Sequence, residues 1–437
     1  MLKELNISLK NTTLCRFIED HNIPVILFIS AISMILYLFI CTSGGKGATD
    51  DVVIFYNYTE LIKSGIMPYK DFTVGYPPFA LIFFLIPSIF TSDLNTYVVL
   101  FGAEMVILAL IALYFMLKLA EKAKMNKYAV TILYMAFILI YFNQMIKKFD
   151  IAVMMLTIIS IYMFCEKRYV SSYAMMTIAV FTKVYPIFLI PVLVIMNLTN
   201  KDDPKRKKNA LRGLTTFVVI MAMPVLIFLL MDGSFDSLIS LLYSQSDRGF
   251  QVESIIGVII QCLGDLKFTT VNIVPSCETY DVISPISNSI IKIWPILFIG
   301  AILIIYALIY NHARKNRLKS TYREDLRNIA MYSTAVLIIF ILVNKVFSTQ
   351  YIIWLYPLLP FLIVIDDKKA NISIAVLSVV VVVLSSLIVK IGTFGDTFVI
   401  VNIIRDIMLF AILSQIILHL VNRKNQFDSL YSDQTHN

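Results

Sequence analysis

Four short polar stretches interrupt a very apolar chain, and they hold the groups able to do chemistry. Asp50, Asp51, Lys70 and Asp71 precede Tyr76-Pro77-Pro78; Lys147, Lys148 and Asp150 stand in NQMIKKFD. Lys183 and Tyr185 stand in FTKVYP, and Asn344, Lys345, Ser348 and Gln350 in NKVFSTQYIIW. A carboxylate can take a proton as a general base. A Lys ammonium suits a phosphate as a compact point charge. Carboxylates beside such lysines at a membrane surface fit transfer from a phosphorylated lipid. Each group also has a plainer role: Asp50 can cap a surface helix, and a Lys at a helix end usually snorkels, the reading favoured for Lys345 and Lys390.

The elements that must position these groups are membrane helices. Of 437 residues, 59% are hydrophobic and only 15% charged, against about 25% charged in soluble domains. Many apolar runs approach the ~20 residues that cross a bilayer. The net charge of +8 collects in short loops, as membrane orientation requires, so it does not signal nucleic acid. The expected fold is all-α and polytopic, with about twelve transmembrane helices. A cytoplasmic tail, 1–22, leads into a membrane domain, 23–421, and a second cytoplasmic tail, 422–437, follows. The first run, Ile23–Cys41, is too long for a cleaved signal and reads as a retained span.

Charge bias orders the loops. Basic segments at Lys118–Lys127, Glu166–Arg168, Lys201–Arg212 and His312–Arg327 belong inside. All four polar stretches then fall outside, in a first outer loop at 42–76, at two helix corners and at 344–350. A long outer loop, 232–290, carries an amphipathic piece near Phe235–Leu242 and reads as a lid or binding loop. Tyr56, Tyr58, Leu61, Ile62 and Ile66 suggest a helix lying along the surface. Pro77–Phe90 is ambiguous: fourteen residues of helix reach only ~21 Å, so it can be partial or re-entrant. Cys262 and Cys277 share the long outer loop and could pair. The four histidines fall at inner ends or tails, away from the polar corners.

The order of motifs resembles a known family. Asp51, Phe55, Gly65, Pro68-Tyr69, Asp71-Phe72 and Tyr76-Pro77-Pro78 look like the first outer loop of the C-type (GT-C) membrane glycosyltransferases. The closest resemblance is to glycosyltransferase family 87, the polyprenol-phosphate-mannose-dependent mannosyltransferases. Lys148-Phe149-Asp150, Lys183-Val184-Tyr185-Pro186 and Phe347–Trp354 resemble later motifs of the family, with Thr349 where Pro is common.

The resemblance implies transfer of a hexose, mannose first, from a polyprenyl-phosphate donor to an acceptor hydroxyl on the outer face of the cell membrane, with inversion. The acceptor is a glycan, glycolipid or glycoprotein. Asp51 matches the family's catalytic base, and Lys148 and Lys183 hold the donor phosphate. Asp50, Lys70, Asp71, Tyr76, Asp150, Tyr185, Ser348 and Gln350 line the substrate. No cofactor is implied; a divalent metal is compatible but not required. The rival is a transporter or flippase of lipid-linked sugars. Alternating access needs polar groups near mid-membrane, and the mid-span segments read as almost purely apolar.

Overall fold

The computed structural model describes residues 22–43, 50–230, 248–276, 279–316, 321–362, 368–392 and 394–422. The N-terminal tail to 21, the 235–242 piece, Cys277, Arg317 and the C-terminal tail from 423 lie outside the described residues.

The polar backbone of a chain in lipid must satisfy its own hydrogen bonds, which helices do internally. Seven helices among the described residues are long and apolar enough to cross a membrane. With the shorter helices between them they run as follows. The first is α1 Asn22–Ser43, then α2 Asp50–Lys63, α3 Ala80–Ser88, α4 Leu94–Lys122 and α5 Lys127–Ile140. Next come α6 Asp150–Cys165, α7 Tyr169–Thr182, α8 Ile190–Thr199 and α9 Arg206–Leu230. A small layer follows, with β1 Phe250–Gln251, α10 Ile255–Asp265, β2 Asn272–Ser276 and β3 Thr279–Ile283. The chain ends with α11 Pro285–Asn316, α12 Tyr322–Val343, α13 Lys368–Ile391 and α14 Asp396–Asn422. The long seven are α1, α4, α9, α11, α12, α13 and α14. The apolar helices α5, α6 and α7 and the Tyr185–Thr199 segment are shorter, about 21–24 Å at 1.5 Å per residue.

Helix starts follow their caps. Asp93 accepts from Thr96 N–H at 2.8 Å and opens α4. Asn126 accepts from Tyr128 and Ala129 N–H and opens α5. Thr321 and Glu324 form a reciprocal capping box at the start of α12. Helix α12 is buried along most of its length and forms the axis of the bundle; α9 and α11 lie at the periphery. Phe28, Phe39 and Ile40 of α1 point outward. An apolar face of that kind suits lipid rather than water.

Helix α3 has only nine residues, about 14 Å at 1.5 Å per residue, roughly half of a ~30 Å core. Of the two readings of Pro77–Phe90, the structure has the partial helix. Helix α2 lies against α3 and α4. Its buried stripe is Val52, Phe55 and Thr59, rotated from the stripe read in the sequence. Ile66 falls beyond the helix end.

The small layer is a three-stranded antiparallel sheet in the order β1-β3-β2, with Phe250 opposite Val282 and Val274 opposite Asp281. It packs with α10 on the ends of α11, α13 and α14 through Val258, Ile260, Ile388 and Phe398. Cys262 of α10 is a free thiol.

Polar contacts separate the bundle into two ends. At one, Lys122 pairs with Glu166 at 2.5 Å, Tyr322 donates to Glu166, and Arg327 meets His419 at 3.1 Å. His312 is here too, hydrogen-bonded to Tyr332. The Asp51 cluster described next sits at the opposite end. The spans nonetheless carry a few buried ionisable groups. Glu104 of α4 is buried with no hydrogen-bond partner among the described residues, and Arg405 and Asp406 are buried in α14.

Candidate functional site

Helix α2 begins at Asp50, whose side chain lies outside the described residues. Asp51, in its first turn, is positioned by Phe55 one turn later on the same face. Phe55 is fully buried, stacked on Phe84 at 4.1 Å and edge-on to Phe149 at 5.8 Å. Phe149 is flanked in sequence by Lys148 and Asp150, so this aromatic contact brings the tripeptide to α2. The Asp51 carboxylate and the Lys148 ammonium form an ion pair there. Both side chains remain about one-fifth exposed, at 19% and 21%. The pair is therefore reachable by a substrate.

Asp150 faces the other way from Phe149. Its carboxylate is 1% exposed, and Oδ1 accepts from Lys183 Nζ and from Trp354 Nε1, both at 2.6 Å. Lys183 leaves the end of α7 in extended backbone. Its ammonium also lies over three rings, Phe149 at 5.0 Å, Tyr351 at 5.5 Å and Trp354 at 5.7 Å, a cation–π arrangement. Tyr185 stacks on Trp354 at 3.7 Å. Tyr76 sets its ring edge-on to Phe149 at 5.0 Å, and its carbonyl accepts from Tyr69 Oη at 2.6 Å. Phe79 N–H donates to Phe181 O at 3.0 Å, tying the segment after Pro78 to the corner that carries Lys183.

The segment after α12 closes the cluster. A 3₁₀ turn, Thr349–Leu355, places Gln350 with its Oε1 buried and without a partner among the described residues. Ser348 precedes it and makes no side-chain cap. Lys70 and Asp71 are not tied to the cluster by any contact among the described residues. Both are exposed, and Asp71 accepts from Met67 N–H at 2.8 Å to close its own turn. In that turn Tyr69 has φ 67°, a left-handed conformation.

Lys345 does not snorkel, contrary to the sequence reading. It is 7% exposed, donates to Arg248 O at 2.9 Å and lies 5.5 Å from the Trp294 ring. The loop carrying Arg248 folds over it, so the ammonium is held by protein rather than by headgroups. Lys390, in the last turn of α13, is exposed, as a snorkelling residue is.

Two groups were not marked by the sequence reading. Glu253 accepts from Thr349 N–H at 2.9 Å through Oε2, and Thr349 Oγ1 accepts from Tyr141 Oη at 2.9 Å. Glu253 is half-buried. Burial raises its carboxyl above the ordinary range; Arg405, the Thr349 N–H and Lys148 pull it down. Arg405 is fully buried. It donates to Glu253 O and to Asp406, both at 2.9 Å, and covers the Phe347 ring at 3.7 Å. It thus fastens the small layer to the bundle. An ionisable pair inside an apolar run is itself a signal, so Arg405-Asp406 was findable. Glu253 had no such signal.

Fold and site define a helical membrane protein with paired carboxylates and lysines gathered at one end of its bundle. Residues 72–274 match the sequence profile of glycosyltransferase family 87. The chain is similar to that family as its motifs indicate, and the match implies a glycosyltransferase. The matched stretch includes Tyr76, Lys148, Asp150, Lys183, Tyr185 and Glu253; Asp51 and the 344–354 segment lie outside it. No curated protein matches the chain.

Proposed function

We propose that this protein transfers a hexose, mannose first among them, from a polyprenyl-phosphate donor to an acceptor hydroxyl at the outer membrane face, with Asp51 as general base. The observation that carries the reading is the part-exposed Asp51–Lys148 ion pair beside the Lys183–Asp150 pair. Positive loop charge supports the orientation, since the basic segments Lys118–Lys127 and Lys201–Arg212 join helices at the end opposite this cluster.

In this mechanism Asp51 takes the proton of the acceptor hydroxyl. The oxygen attacks the anomeric carbon as the bond from that carbon to the phosphate oxygen breaks. The lipid phosphate leaves with the electron pair, and Lys148 neutralises it. Without donor, Lys148 is paired with Asp51. An arriving phosphate competes for Lys148 and frees the carboxylate, so donor binding readies the base. Lys183 is already matched by Asp150 and three rings. Its part in holding phosphate is therefore mainly to fix the Lys148-Phe149-Asp150 segment. A β-linked donor gives an α-linked product by single displacement.

The test is transfer in detergent from radiolabelled polyprenyl-phosphate mannose to a glycolipid or glycan acceptor. Label should appear in the acceptor with wild type and fall roughly 10²–10⁴-fold with Asp51→Asn. Label that crosses a vesicle membrane without joining an acceptor would contradict transfer and favour a transporter.

A further inference from the structure

Three carboxylates at this end of the bundle sit in ion pairs. Asp51 is paired with Lys148, Asp150 with Lys183, and Asp406 with Arg405. Glu253 has no cation within ion-pairing distance among the described residues, although Lys148 and Arg405 are close enough to act on it electrostatically. Its Oε2 is fixed by the Thr349 N–H. Its Oε1 has no donor among the described residues, and the residue keeps part of its surface open. Tyr141 and Tyr351 lie within electrostatic range of the same carboxylate. The backbone around it is held at both sides. Arg405 grips the Glu253 carbonyl, and Ser254 caps α10 through Gly257 N–H. A carboxylate oxygen on a backbone held at both sides, near tyrosines and with no donor among the described residues, is arranged to receive a donor from a ligand.

We propose that Glu253 is a sugar-contacting residue whose Oε1 accepts a hydrogen bond from a hydroxyl of the hexose in the site. The inference rests on the glycosyltransferase reading above. A hydrogen bond to a charged group is the stronger kind. A site built to bind a hydroxyl discriminates strongly against an analogue that lacks it. Glu253 would therefore govern which sugar is accepted, while Lys148 governs phosphate whatever sugar it carries.

Gln is the informative substitution. Its carbonyl can keep the Thr349 hydrogen bond, which preserves the fold, while its amide presents a donor where Oε1 presented an acceptor. Equilibrium binding to the full-length protein in detergent would be measured for short-chain polyprenyl-phosphate mannose and for the same polyprenyl phosphate without sugar. Glu253→Gln should weaken the mannose-bearing lipid roughly tenfold and leave the bare lipid unchanged, whereas Lys148→Ala should weaken both. Two results overturn the proposal: unchanged binding of both lipids, which with a raised acceptor KM would move the contact to the acceptor, or equal weakening of both lipids. Should wild type neither prefer the sugar-bearing lipid nor transfer its sugar, the glycosyltransferase reading fails and this inference goes with it.

Discussion

Lys148 and Lys183 look alike in the sequence but stand in different surroundings, and their variants should behave differently. Lys148 shares a part-exposed pair with Asp51. Lys148→Ala should fold and lose roughly tenfold to a hundredfold in donor efficiency, the worth of a charge-assisted contact of ~1.5–3 kcal/mol. Lys183 is the cation of the buried Asp150. Its loss leaves that carboxylate uncompensated, which costs about 3–5 kcal/mol, so Lys183→Ala should lower the thermal midpoint before donor use is measured. A Lys183→Ala protein of unchanged midpoint would contradict the buried-pair account. Glu253 gives a pH signature. Burial raises its carboxyl, so the charged form is less favourable in the folded protein than in the unfolded chain. The stabilisation it contributes is full below the ordinary carboxylate range and is lost as pH rises through the raised folded value. Glu253→Gln should flatten the fall in thermal midpoint across that window; an unchanged slope would count against it.

Helices and corners were legible where composition alone sets them. Apolar runs gave the long helices, and Pro186 and the Pro77-Pro78 step marked the breaks. The Lys148-Phe149-Asp150 and Lys183-Val184-Tyr185-Pro186 segments could be singled out because charge inside an apolar run is conspicuous. Their pairing could not be read: Lys148 meets Asp51 across 97 residues, and Lys183 meets Asp150 across 33. Lys345 was misread because its partner, Arg248 O, comes from a loop whose course the sequence does not reveal. Glu253 stayed unseen because nothing around GFQVES sets it apart from an ordinary helix entry. The entry itself is tightly built. A Cβ on Gly257 would stand 2.1 Å from Gln251 O, so the turn that carries Glu253 requires glycine there. Gly257→Ala should lower stability and transfer together, measured on the same purified sample. A variant with wild-type values for both would show that the turn relaxes without cost. Far from the site, Thr321→Ala removes half of the capping box of α12. It should cost about 0.5–2 kcal/mol and leave the KM for donor alone.

At the scale of the whole molecule, two polar ends are joined by an apolar bundle, and the reading needs the Asp51 end outside. Cys262 belongs to the layer at that end. An impermeant thiol reagent should label it in intact cells, and a cysteine at Lys205 should react only once membranes are opened. The reverse pattern would invert the topology. Burial in the bundle also explains why the site could be read only in part. The family match begins at residue 72, after Asp51, so the base rests on the motif order of the first outer loop and on its pair with Lys148. The most direct measurement is therefore the transfer rate of Asp51→Asn beside Asp50→Asn at equal expression, with radiolabelled polyprenyl-phosphate mannose as donor. Successive residues on a helix point ~100° apart, so only one of the two can face the acceptor hydroxyl. The account predicts a loss of roughly 10²–10⁴-fold for Asp51→Asn, with donor still bound, and a much smaller loss for Asp50→Asn. An active Asp51→Asn protein beside an inactive Asp50→Asn protein would contradict it.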